Sequence, residues 1–242
     1  MMTQRRRPPQ GLFMTLEGIE GCGKSTQAKL LGKYLRSEGY VTVETREPGG
    51  TPLAEHIRSL LLDRTGEPVA PETEAFLVFA ARRQHVAQVI EPALAQGAIV
   101  ICDRFSDSTL AYQGYARGLD LPTLRALNRL ATQTIMPDLT LLFDLPVSTG
   151  LARRRNAAGT NRLDRESIRF HRKVRAGFLD LAKRDPARIK IIPSRAAKET
   201  VAGAVIQAVT PLLSKHLRGA TKHSPSPGTH APRTSQVRHA LR

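Results

Sequence analysis

Short apolar runs alternate along the chain with segments whose apolar residues recur every three or four positions. Leu12-Phe13-Met14-Thr15-Leu16-Glu17 reads as a strand, and residues 26–35 carry the i, i+3, i+4 spacing of a helix. A second strand is predicted over residues 40–45. A helix follows from Pro52 to Leu62, with Thr51 as its cap, Pro52 at the first helical position and Glu55 close to a capping-box acid. A long helix runs from residue 72 to about residue 95, its last turn perturbed by Pro92. Ala98-Ile99-Val100-Ile101-Cys102 is a continuous apolar run, the mark of a strand buried on both faces of a parallel sheet, and residues 138–145 read as another buried strand. Further helices are predicted at residues 122–134, from Ser148 through Arg153-Arg154-Arg155, from about residue 166 to 183 and from Ala197 to about Leu213. Lys190-Ile191-Ile192 is the last strand. Strands and helices in this alternation predict an α/β fold: a five-stranded parallel sheet in three layers, with helices on both faces and right-handed crossovers.

Composition narrows the class. With 242 residues, 40% of them hydrophobic, the chain can bury a substantial core. Two cysteines, Cys22 and Cys102, make neither a disulfide framework nor a zinc site, which points to a reducing compartment. No apolar run has the length of a signal peptide core or a membrane span, so a cytoplasmic protein is expected. The net charge of +16 is concentrated at the ends: residues 1–10 carry three arginines and residues 213–242 six basic residues, with no acid in either, which leaves +7 for residues 11–212. Residues 1–10 read as a disordered basic leader and residues 217–242 as a disordered basic tail around a domain at 11–216. The tail is able to add weak contact with polyanions, and nucleic acid is not required by anything else in the chain.

The chemistry centres on Gly18-Ile19-Glu20-Gly21-Cys22-Gly23-Lys24-Ser25, followed by Thr26, which fits G-x-x-x-x-G-K-[ST] between a predicted strand and a predicted helix. Such a loop turns successive N–H groups onto a phosphate at the positive end of a helix dipole. Lys24 is placed to reach the β- and γ-phosphates of ATP, and the Ser25 hydroxyl to ligate Mg²⁺. No N-K-x-D segment is present to read guanine. Asp103-Arg104 ends a buried strand, where open α/β sheets bind ligands. An arginine-rich flap lies at about residues 153–166. Together these describe phosphoryl transfer to a small phosphorylated acceptor, in which positioning and charge neutralisation do most of the chemistry.

The motifs resemble those of the thymidylate kinases of bacteria. The resemblance covers about residues 13–213 and rests on the P-loop, on Thr45-Arg46-Glu47-Pro48-Gly49-Gly50-Thr51, on Asp103-Arg104-Phe105, on Ser108-Thr109-Leu110-Ala111-Tyr112-Gln113-Gly114 and on Pro137-Asp138-Leu139-Thr140. It implies a P-loop nucleotide-kinase fold with a short lid, with ATP as donor, Mg²⁺ as cofactor, dTMP as acceptor and a homodimer. It implies that Glu20 receives the 3′-hydroxyl of the acceptor, that Arg82 and Arg104 hold the acceptor phosphate and that Asp103 orients Mg²⁺. Thr109, Tyr112 and Gln113 fall where the family reads the base and packs the sugar, and Pro48 where the 5-methyl group is accommodated. Phe79 is the candidate to stack on the base; ungapped alignment to Pro92 places Val78 there instead. Because the P-loop position that holds an arginine in some members is Gly21 here, the lid must supply the catalytic arginine. The candidates are Arg153, Arg154, Arg155 and Arg162, of which Arg162 fits best.

Two rival readings remain at this level. One is another deoxynucleotide or deoxynucleoside kinase, which acceptor choice distinguishes. The other is a nucleic-acid-binding P-loop ATPase that grips through the basic tail, although no aromatic residues are interleaved there.

Overall fold

A computed structural model of the chain describes residues 11–63, 67–155 and 161–220. The leader at residues 1–10, the tail from residue 221 and lid residues 156–160 lie outside them. Five strands form one parallel sheet: β1 (Phe13–Glu17), β2 (Thr42–Arg46), β3 (Ile99–Asp103), β4 (Leu139–Asp144) and β5 (Ile189–Pro193), in the order β2-β3-β1-β4-β5. The register sets Leu16 beside Asp103 and beside Leu141, so β1 is the central strand and its carboxyl end meets that of β3.

Alternation along β1 and β3 sends neighbouring side chains into two different apolar clusters. Met14, Leu16, Ile99 and Ile101 join the larger, with α1 (Lys24–Ser37), α8 (Ile168–Arg184) and α9 (Lys198–Ala220). Phe13, Val100 and Cys102 join the smaller, with Val86 and Ile90. Strands β1, β3 and β4 are buried at nearly every position. Of the two polar residues on β1, Thr15 is matched across the strands by Thr140, their hydroxyls 2.8 Å apart, and Glu17 accepts from Phe105 N at 2.8 Å.

The remaining helices are α2 (Pro52–Leu62), α3 (Pro71–His85), α4 (Glu91–Ala95), α5 (Ser106–Thr109), α6 (Leu121–Thr132) and α7 (Val147–Arg155). Thr51 caps α2 as its sequence predicts, accepting from Ala54 N at 3.2 Å, and Glu55 reaches back to Gly50 N at 3.0 Å. A π-helical turn, Val86–Ile90, joins α3 to α4. Pro92 explains it: the proline has no N–H for a regular helical bond and its ring crowds the preceding turn, so the backbone takes up an extra residue just before it. A second π-helical stretch, Leu110–Ala116, follows α5. One boundary differs from expectation. Helix α9 continues to Ala220, through residues 217–220 of the expected tail, with Pro211 inside it.

Candidate active site

The P-loop lies in the turn between β1 and α1. Gly21 and Gly23 have φ of 69° and 95°, a region open to glycine at no steric cost. Gly21 also permits a close approach: a Cβ there would stand 2.1 Å from the carbonyl oxygen of Gly150 on α7. Lys24 folds back over the loop, donating to the carbonyls of Ile19 (2.8 Å) and Gly18 (3.1 Å) and lying 3.4 Å from Cys22 Sγ. Ser25 Oγ donates to Asp103 Oδ2 at 2.5 Å, so the expected metal-binding pair converges from α1 and from the end of β3.

Facing the P-loop across one cleft of about 350 Å³ are Pro48, Val78, Arg82, Arg104, Thr109, Tyr112 and Gln113. Arg82 is 1% exposed, with Nε on Glu47 Oε2 at 2.7 Å and Nη1 on Asn128 Oδ1 at 2.5 Å. Its guanidinium lies 5.1 Å from the Phe105 ring. Arg104 sits at φ 74°, an uncommon conformation for a branched or long side chain, and this turns it back over the loop. Its Nη1 bonds Gly18 O at 2.9 Å and its Nη2 reaches Glu20 Oε1 at 3.2 Å. The Thr109 hydroxyl is buried without a hydrogen-bond partner among the described residues, while Gln113 donates to Glu74 at 2.7 Å.

Glu20 is the electrostatic centre of this half. Burial alone would raise its carboxyl, but His171, Arg104, Lys24 and the Tyr112 hydroxyl, which bonds it directly, bring it down to about 2. It is therefore an anion throughout the working pH range and an acceptor only.

Phe79 is corrected by its position. It is 7% exposed, belongs to the main core and does not line the cleft, which Val78 does. Both positions lie within a helical turn of Arg82 on α3, and packing separates them: Phe79 goes into the main core and Val78 onto the cleft wall.

The lid arginines divide in the same way. Arg154 and Arg162 line the cleft, whereas Arg153 and Arg155 are exposed and do not, with Arg153 donating to Ser194 O at 3.3 Å. Arg154 grips Asp164 and Arg162 pairs with Glu74 Oε2 at 2.6 Å. Burial would raise the Glu74 carboxyl, and Arg117, Arg162 and Gln113 lower it.

Sequence reasoning gave no role to Glu47, Arg58, Glu74 or His171. A buried arginine such as Arg82 requires an acid, and Glu47 was within the quoted motif. Arg58, on the cleft wall with Nη1 on Pro48 O at 2.9 Å, carried no such signal.

A phosphate-gripping loop and an arginine-lined pocket thus open on one cleft, beneath a segment that brings in further arginines. This arrangement defines a P-loop phosphotransferase acting between two bound anions. The family model described as thymidylate kinase matches residues 16–205. The chain is 54% identical over 207 residues to a thymidylate kinase of Thermomicrobium roseum, covering 85% of this chain and 98% of that protein. It is 53% identical over 201 residues to one of Geobacter sulfurreducens, covering 81% and 94%. The crystal structure of thymidylate kinase from Ehrlichia chaffeensis superposes with a TM-score of 0.69 at 38% identity, covering 83% of this chain and 98% of that one. The chain belongs to the thymidylate kinase family.

Proposed function

We propose that the chain transfers the γ-phosphoryl group of ATP to dTMP, giving dTDP and ADP for dTTP synthesis. The observation that carries this reading is that Lys24 and Ser25 share one cleft with Glu20, Arg82, Arg104, Tyr112 and Gln113. A phosphate oxygen of the acceptor attacks the γ-phosphorus. The bond to the bridging oxygen breaks, and ADP leaves with the electron pair.

Lys24, with the P-loop N–H groups, holds the donor phosphates. Arg82 and Arg104 hold the acceptor phosphate, Arg82 having its orientation set by Glu47. The arginine charge for the transferring group comes from Arg162 and Arg154, since both face the cleft. Glu20 receives the 3′-hydroxyl of the acceptor with Tyr112 beside it. Val78 and Pro48 supply the apolar surface for the base, and the unpartnered Thr109 hydroxyl is a polar handle for its edge.

Ser25 and Asp103 would hold Mg²⁺. A hydroxyl and a carboxylate oxygen 2.5 Å apart fit a cation that usually takes few protein ligands and keeps its waters. When bound, it neutralises charge on the donor phosphates.

A second copy of the chain is the proposed partner. Leu53 and Leu60 on α2, Phe76 on α3 and Leu130 on α6 are large apolar side chains left more than half exposed on helices that pack together. No described helix is long and apolar enough to cross a membrane, and both cysteines are buried free thiols, in keeping with action in the cytoplasm.

The test is ADP release with ATP and Mg²⁺, offering thymidylate, deoxyuridylate, adenylate, guanylate, cytidylate and thymidine in parallel. Turnover is expected with thymidylate above all others and is abolished in Lys24→Ala. Preference for thymidine would establish a nucleoside kinase in its place. ATP hydrolysis stimulated only by DNA would overturn the reading.

A further inference from the structure

The two oxygens of Glu20 meet different surroundings. Oε1 takes the Tyr112 hydroxyl and the Arg104 guanidinium, both on the cleft wall. Oε2 is buried, and no described donor reaches it in hydrogen-bond geometry. The group opposite it is the imidazole of His171 on α8, with Nδ1 3.2 Å away. His171 is itself 0% exposed, does not line the cleft, and neither ring nitrogen has a hydrogen-bond partner among the described residues. The ring of Phe170 meets it edge-on at 5.6 Å. A buried carboxylate oxygen and a buried imidazole, each otherwise unmet, are both costly, and each is the other's available remedy.

We propose that His171 is a positioning residue for the acceptor sugar: its Nδ1–H pins the inward oxygen of Glu20 and so fixes the carboxylate plane that receives the 3′-hydroxyl. The inference rests on the role given to Glu20 above. The same helix also steadies the other side of that carboxylate. Phe170 and Phe178 of α8 pack edge-on against the Tyr112 ring at 6.1 and 6.3 Å, and Tyr112 donates to Oε1. Helix α8 starts just past the lid, capped by Ser167, so the segment that carries the lid arginines leads directly into the element that orients the sugar-binding acid.

The experiment compares kcat/KM for dTMP and for its 3′-deoxy analogue, 2′,3′-dideoxythymidylate, in the parent, His171→Asn and His171→Gln. Asparagine places an amide near the Nδ1 position, and glutamine near Nε2. The parent prefers dTMP. His171→Gln loses about 10-fold of that preference, the scale of one weakened hydrogen bond to a charged group, with KM for ATP unchanged. His171→Asn keeps it to within about 2-fold. A merely structural histidine would lower both substrates together and leave the ratio alike in the two variants, and that result overturns the proposal. His171→Leu, where it folds, must lose at least as much preference as His171→Gln. A parent that uses both nucleotides equally would instead refute the role of Glu20, and the inference with it. Absence of any dTMP turnover would refute the function.

Discussion

Two carboxylates three positions apart show how environment sets the behaviour of a residue. Glu17 ends β1 inside the protein, receiving Phe105 N at 2.8 Å and Ser108 Oγ at 2.5 Å. Burial, reinforced by Asp107, pushes it up from 4.5 to about 7. Glu20, among His171, Arg104 and Lys24, goes the other way to about 2. The linkage signs are opposite. The folded state holds the Glu17 proton more tightly than the unfolded chain does, so its contribution to stability falls as pH rises from about 4.5 to 7. Glu20 contributes stability above about 4.5 that is lost as pH falls towards 2. Thermal unfolding of Glu17→Gln is therefore expected to be less sensitive to pH between 5 and 8 than that of the parent. Identical slopes in the two proteins would contradict this account of Glu17. At this scale the sequence is legible where chemistry is contiguous, as in the P-loop, and silent where partners are far apart. Neither the pairing of Glu47 with Arg82 nor that of Glu20 with His171 leaves a local trace.

Among the elements, hydrophobic alternation predicted every strand and each of the longer helices, and missed the π-helical stretches. A π turn shifts the helical register by about one residue, too little to disturb an apolar pattern yet enough to re-aim side chains. The stretch Leu110–Ala116 carries Tyr112 and Gln113, both on the cleft wall. The facing of Phe79 and Val78 was ambiguous for a related reason: adjacent positions on one helix are separated by rotation, and only packing decides which is buried. The lid is tied to this region through Glu74, which receives Arg162 at 2.6 Å, Arg117 at 3.1 Å and Gln113 at 2.7 Å. Arg162 also donates to Leu61 O at 3.0 Å. Replacing Glu74 with alanine leaves two arginines without this shared acid. Amide hydrogen exchange across residues 161–166 should then speed up by about 10-fold or more, with β1 unchanged, as expected of a locally opened segment. Unchanged exchange in the lid would show that the backbone contacts with α2 suffice to hold it.

For the molecule as a whole, the parallel class was legible and the strand order was not. The pairs that define β2-β3-β1-β4-β5 join residues such as Thr42 with Ile99 and Met14 with Leu139, too distant in sequence to signal each other. The outer surface of α2, α3 and α6 leads to a further prediction. Phe76 is 61% exposed and Leu60 65%, so Phe76→Glu combined with Leu60→Glu should shift the molar mass in light scattering from dimer to monomer with little loss of secondary structure. A parent already monomeric at assay concentration would exclude the dimer.

Among the described residues, seven basic side chains and five carboxylates line the cleft. Four of those carboxylates are paired with arginines: Glu20 with Arg104, Glu47 with Arg82, Glu74 with Arg162 and Asp164 with Arg154. On the proposed reading, nucleotide capture brings a second anion to donors that already have one. Phosphate oxygens, on that reading, share donors that the protein's own acids keep oriented and charged, and the counterions already at the site are side chains tethered a few ångströms away. Bulk salt has less to compete for in such a site than on a bare arginine surface, because the neutralising partner is already part of the fold.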